Sequence, residues 1–155
     1  MTATIRGAAA AVLLVAIAAC SSSRPAALSS TIPSGWPVAY GTVTVTAEFG
    51  APRGASRHEG IDLAAPSGTP VTATAPGKVV FAGKDGRYGK TVVIDHGGGY
   101  RTRYAHLKKI DTKKGKRVKR GDVIGRVGKS GNASGAHLHY EVLRNGVPVN
   151  PRGYL

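Results

Sequence analysis

The side chains able to do chemistry in this chain are five histidines, His58, His96, His106, His137 and His139, together with a few nearby carboxylates. In His137-Leu138-His139-Tyr140-Glu141-Val142-Leu143, polar and apolar residues alternate with the period of a strand. Alternate strand residues share a face, so Leu138, Tyr140 and Val142 line a core, and His137, His139 and Glu141 share the opposite, open face. Two imidazoles at i and i+2 then stand side by side, and neutral imidazole is a common zinc ligand. Upstream, His58-Glu59-Gly60-Ile61-Asp62 offers one nitrogen and one oxygen donor on a turn that Gly60 makes flexible. The helical H-E-x-x-H pattern fails here, because Asp62 stands where its second histidine belongs and the segment reads as loop and strand. One His and one Asp from this segment, with one His of the later pair, make three protein ligands. Three ligands leave a fourth position for water, which marks a catalytic rather than a structural zinc site. His96 ends a strand-like run before three glycines and is expected to be a structural or surface residue.

The elements that must position these residues read as all-β. Thr42–Glu48, Val71–Ala75, Lys78–Ala82, Thr91–Asp95, Tyr100–Leu107, Val123–Val127 and His137–Leu143 are short and rich in Val, Ile, Thr and Tyr. Gly, Pro, Asn and Asp separate nearly all of them, as at Pro76-Gly77, Asp85-Gly86 and Asn145-Gly146. No segment beyond the leader keeps a helical period. A small, Gly-rich antiparallel β domain, sandwich-like or barrel-like, is expected over residues 36–155.

The first 19 residues belong to something else. Met1–Arg6 carries one positive charge and no acid, and Gly7–Ala19 is an unbroken run of small and aliphatic residues. Thirteen residues at about 1.5 Å each fall short of a hydrocarbon core of roughly 30 Å, so the segment reads as a secretory signal peptide. Its end, Ile17-Ala18-Ala19-Cys20, resembles the lipobox of bacterial lipoproteins, which implies acylation of Cys20 and a membrane anchor. Residues 20–35, rich in Ser, Ala and Pro, are expected to be a flexible tether. Cys20 is the chain's one cysteine, so no intramolecular disulfide forms, and the domain holds no thiolates for a closed zinc site. Loss of Arg6 with the leader lowers the net charge from +14 to +13. A strongly basic exported protein points away from nucleic acid and toward anionic envelope polymers or lipid head groups. The run from Lys108-Lys109 to Lys119-Arg120 is either a surface for such a polymer or a solvated hairpin.

Four stretches together resemble the lysostaphin-type, or LytM-type, zinc metallopeptidases of peptidoglycan. They are His58-Glu59-Gly60-Ile61-Asp62 running on to Val71, Tyr104-Ala105-His106-Leu107, Gly121-Asp122-Val123-Ile124-Gly125, and Gly131-Asn132 through His137-Leu138-His139-Tyr140-Glu141. The likeness extends from about Phe49 to Pro151. It implies one zinc ion per domain held by His58, Asp62 and His139, with His106 and His137 as catalytic histidines that are not ligands. Phe49–Arg57 corresponds to a loop at the cleft edge, and Glu141 is expected to hold His139 from behind. The resemblance further implies an endopeptidase acting on wall cross-links, of the kind that cuts D-Ala–diamino acid bonds rather than glycine bridges. It implies a monomer tethered on the extracytoplasmic side, at the outer membrane if the host is Gram-negative. Relatives that have lost ligands act instead as activators of wall amidases and associate with other wall hydrolases, whereas all five positions are intact here. The stretch Val118–Gly125 also looks like the turns of lipoyl carrier domains, but the lysine hairpin of a carrier is missing.

Overall fold

The computed structural model describes residues 31–39, 41 and 43–155. The expected signal peptide, Cys20 and most of the expected tether lie outside the described residues. In chain order the strands are β1 (Thr44–Ala47), β2 (Pro52–Arg53), β3 (Ser56–Arg57), β4 (Ile61–Ala64), β5 (Pro70–Thr72), β6 (Gly77–Asp85) and β7 (Gly89–Gly97). They continue with β8 (Tyr100–Ala105), β9 (Lys109–Ile110), β10 (Arg117–Val118), β11 (Val123–Arg126), β12 (His137–Arg144) and β13 (Val147–Val149). Two 3-10 turns, Gly86–Tyr88 and Pro151–Tyr154, complete the elements, and the described residues contain no α-helix.

The main sheet runs β1-β4-β12-β8-β7-β6-β10, with β13 also paired to β12. A three-stranded sheet, β5-β11-β9, and the β2–β3 ribbon stand apart from it. Every pairing is antiparallel. The all-β expectation therefore holds, and each of the seven expected strands has its counterpart. β4 was not among them, although it lies between β1 and β12 at the centre of the site.

Between the sheets, Ile61, Leu63, Val92, Ile94, Leu138, Tyr140 and Val142 cluster with Val71, Leu107, Ile124 and Val127. Each fully buried Leu, Ile or Val contributes about 1.5–3 kcal/mol. This packing fixes the register, because a slip of one residue on β12 would exchange its apolar and histidine faces. Leu138, Tyr140 and Val142 are fully buried, as the alternation requires. The opposite face departs from expectation. His139 is buried and Glu141 is 0% exposed, so this part of the face is covered, while His137 is only partly buried. Alternation marks which residues share a side, but the connections that fold over that side leave no periodic signal.

Ser34 and Gly35, expected in the tether, are tied to the domain through Ser34 N–H to Thr74 O (3.0 Å) and Gly35 N–H to Tyr154 O (2.8 Å). The basic segment runs along β9 and β10 to the far edge of the main sheet, with Lys113, Lys114, Lys116, Arg117, Lys119 and Arg120 all exposed.

Candidate metal centre

Pairing of β12 with β4 sets His139 opposite Asp62, and pairing of β12 with β8 sets it opposite Ala105, whose neighbour is His106. His58 enters from the segment before β4, where its N–H donates to Ala51 O at 2.9 Å. Gly60 acts here through its size rather than its flexibility. A Cβ at this position would collide with Tyr140 O, Glu141 Cγ and His139 Cε1, so its absence lets the His58 segment close onto β12.

Three donor atoms converge. His58 Nε2 lies 3.1 Å from Asp62 Oδ1 and 3.0 Å from His139 Nδ1, and the last two atoms are 2.8 Å apart. The outer nitrogens define the tautomers. His58 Nδ1 lies 2.8 Å from Glu48 O, a carbonyl that can only accept, so Nδ1 carries the proton and Nε2 is bare. His139 Nε2 lies 2.9 Å from Glu141 Oε1, which places its proton there and leaves Nδ1 bare. Two bare nitrogens and a carboxylate oxygen thus face one another with no hydrogen between them, an arrangement that calls for a cation. Tetrahedral zinc, with bonds of about 2.0–2.2 Å, would set its ligand atoms about 3.3–3.6 Å apart, so the triangle would have to open by a few tenths of an ångström to take the ion. Electrostatics agree. Burial opposes charge on Asp62, but positive charge brought beside it, which protonated His139 and His58 would supply in place of a cation, holds its carboxyl far below the usual carboxylate range. Burial likewise opposes a charged His139, yet Asp62 and Glu141 raise its pKa, so the local field favours positive charge. The donor set fits zinc.

Glu141 anchors this arrangement from behind, as the sequence led us to expect. Besides His139, it accepts from Tyr88 Oη at 2.8 Å and Arg103 Nη1 at 2.9 Å. The Arg103 guanidinium stacks on the Tyr88 ring, 4.5 Å from its centroid. Burial would raise the Glu141 pKa, but His139, Arg103 and Tyr88 hold it below the ordinary value. Burial and the Glu141 charge push the Tyr88 hydroxyl well up, so it stays a donor.

His106 and His137 stand beside the donor triangle, their ring centroids 4.7 Å apart. His106 Nδ1 donates to Ser130 O at 2.8 Å, and His137 Nδ1 to Gly135 O at 3.0 Å. In each neutral ring Nε2 is therefore the bare nitrogen. His137 Nε2 lies 3.8 Å from Asp62 Oδ1. Burial lowers the His106 pKa, with the Ser130 carbonyl opposing it in part. His106 holds a φ of 59°, a left-handed backbone rare outside glycine. Its N–H bond to Tyr88 O at 2.9 Å and the Ser130 bond secure that conformation. Gly89 and Gly131 let the turn carrying Tyr88 approach the loop carrying Ser130, since a Cβ on either would strike the other's backbone.

The five expected site residues therefore come together, and each lines one cleft of about 740 Å³. His96 stands apart and buried, with Nδ1 bonded to Pro76 O and Nε2 to Thr102 Oγ1, each at 2.8 Å. The sequence did not single out Arg53, Tyr88, Arg103 or Ser130. Arg103 was recoverable only from strand pairing, which sets it opposite Glu141.

Residues 56–151, more than half of the chain, match the sequence profile of peptidase family M23. The chain belongs to that family. Over 94 residues it is 52% identical to the DD-carboxypeptidase/endopeptidase Mpg of Neisseria meningitidis serogroup B, a match covering 61% of this chain and 22% of that protein. Over 93 residues it is 50% identical to the peptidoglycan DD-endopeptidase ShyA of Vibrio cholerae serotype O1, covering 60% of this chain and 22% of the relative. A zinc-containing peptidase from Vibrio cholerae shares the architecture, with a TM-score of 0.72, 38% identity, and coverage of 77% of this chain and 39% of that one. The chain thus spans 22% of the length of either curated relative. Membership of family M23 agrees with the lysostaphin-type resemblance and with the zinc-type donor set.

Proposed function

We propose that this chain is a zinc-dependent peptidoglycan endopeptidase that hydrolyses a bond between two D-residues in wall cross-links. The observation that carries this reading is the triangle of bare His58, Asp62 and His139 donor atoms, open to a cleft that also holds two histidines with bare Nε2 atoms. The names of Mpg and ShyA support the substrate class. When bound, zinc supplies a Lewis acid able to bring the pKa of a water toward neutrality. The chain's own groups then handle protons. Nε2 of His106 or His137 accepts a proton from the water and passes it to the leaving amine, and the partner imidazole donates to the developing oxyanion when it carries a second proton, on Nε2. Backbone carbonyls at both Nδ1 atoms keep the two Nε2 atoms in the correct tautomer.

The test is digestion of purified sacculi by zinc-loaded protein, with fragments analysed by mass spectrometry. Loss of cross-linked dimers is expected, and its disappearance with a chelator or in His139→Ala. Intact sacculi after treatment with folded, zinc-loaded protein would remove the enzyme reading and leave activation of an amidase in its place.

We also propose that Cys20 is acylated and holds the enzyme on the extracytoplasmic face of a membrane, supported by the leader-like residues before it. Cys20→Ala is expected to move the protein from the membrane fraction to the soluble one. An unchanged distribution would exclude this anchor.

A further inference from the structure

Arg53 sits on the β2–β3 ribbon at the cleft wall, and its Nη2 donates to Asp62 Oδ2 at 2.6 Å. Asp62 thus uses one oxygen toward the histidines and the other toward a guanidinium whose side chain is 50% exposed. A guanidinium has five N–H donors in a planar fork that matches a carboxylate, and the Asp62 bond occupies one edge. Arg53 itself lines the cleft, which leaves its other donors available there. Arg57 and Arg87 also line that cleft, and Glu59 is its only acid besides Asp62 among the described residues. The surroundings therefore favour an anionic ligand.

We propose that Arg53 forms a carboxylate-binding subsite for the residue on the leaving-amine side of the scissile bond. The inference rests on the endopeptidase reading above and refines its substrate class. In a bond between two D-residues, the carbon bearing the scissile nitrogen also bears a carboxyl group. That group lies three bonds, about 4 Å, from the scissile carbonyl carbon. The Arg53 guanidinium lies one carboxylate away from the converging donor atoms, so a carbonyl placed at the donor triangle brings such a carboxylate within its reach. A glycine bridge has no carboxylate there and gains nothing from Arg53. Two sources carry this chemistry: the α-carboxylate of a cross-linked diamino acid, and the free terminus of an uncross-linked peptide ending in two D-residues.

The experiment uses the zinc-loaded full chain and four substrates: a cross-linked dimer and an uncross-linked pentapeptide, each with this group as carboxylate or as carboxamide. Charge-assisted hydrogen bonds of this kind lead us to expect a preference for carboxylate of about 10- to 100-fold in kcat/KM. In Arg53→Gln the preference is expected to collapse to within about twofold, with Arg53→Lys in between. Preference in only one substrate pair identifies the source. Calorimetric affinity for the acceptor-side product, which cannot turn over, is expected to fall in Arg53→Gln only when the product carries the carboxylate. Equal rates on carboxylate and carboxamide by the wild-type protein would overturn the inference. So would an Arg53→Gln variant that slows every substrate equally and binds less zinc, because Arg53 would then act only by holding Asp62. Cleavage of none of the four would instead count against the endopeptidase reading, with calorimetry still reporting on the subsite.

Discussion

Two buried polar networks lie on opposite faces of β8 and β12, and they differ in how their hydrogen bonding closes. On the core side, Tyr140 and Tyr104 hydroxyls meet Thr74 Oγ1 at 2.9 and 3.0 Å. Thr102 Oγ1 joins Tyr104 at 3.1 Å, His96 Nε2 follows, and His96 Nδ1 ends the chain on Pro76 O. Hydroxyls both donate and accept, so every member has a partner and the network is complete by itself. On the site side Glu141 in the outer layer takes bonds from His139, Tyr88 and Arg103, and Arg103 Nε is left buried without a hydrogen-bond partner among the described residues. The inner layer on that side has only acceptors. Neighbouring residues of one strand, Tyr140 between His139 and Glu141, thus serve a closed network and an open one. The open one is where a cation adds most.

The largest expected contrast is therefore in response to metal. Zinc at about a thousand times its dissociation constant should stabilise the native state by about 4 kcal/mol, seen as a rise in Tm. Asp62→Asn should abolish that rise, while a mutation in the core network should preserve it. An equal rise in Asp62→Asn would place the ion elsewhere. Next in size is the support behind the ligand. Glu141→Gln keeps shape but removes the charge facing His139 Nε2, and zinc affinity measured by chelator competition should fall about 10- to 100-fold. Unchanged affinity would mean that Glu141 serves folding alone.

How much of this contrast was visible in the sequence depends on whether a relation is local. The i, i+2 spacing placed His137, His139 and Glu141 on one face of β12, and the face is real. Its burial was invisible, because the covering groups, Tyr88 and Arg103, come from the turn before β7 and from β8. β4 leaves a weak strand signal because it is short, carries Asp62 at its second position, and reads apolar only around it. Gly60 was legible as a glycine but not as a contact, since its need to be small arises from Tyr140 and Glu141, eighty residues away in sequence. Arg53 fell within a stretch recognised as a cleft edge, with nothing in the sequence to join it to Asp62.

The closed network offers a smaller test of the separation across β12. Tyr140→Phe removes a hydroxyl bonded to Thr74 and should cost about 1 kcal/mol in denaturant unfolding, with zinc affinity unchanged. A loss of zinc affinity here would show that the two faces are coupled through the strand.

The smallest effect should come from His96. Burial lowers its pKa below the ordinary 6.5, with the Pro76 carbonyl opposing in part. Above that value both folded and unfolded chains hold it neutral, and its contribution is fully present. As the pH falls through 6.5, the unfolded chain takes up the proton first, and stability drains away until the folded His96 is protonated too. In metal-free protein the His96 contribution should therefore be lost as the pH falls through 6.5, while the raised pKa of His139 works in the opposite direction above that value. His106, shifted downward by burial as well, adds to the same loss. His96→Gln should be less stable at the upper end, because it breaks the chain from Pro76 to Thr102, and should show a shallower slope. Parallel pH profiles for the two proteins would mean that His96 titrates alike in both states, and that the core network tolerates charge.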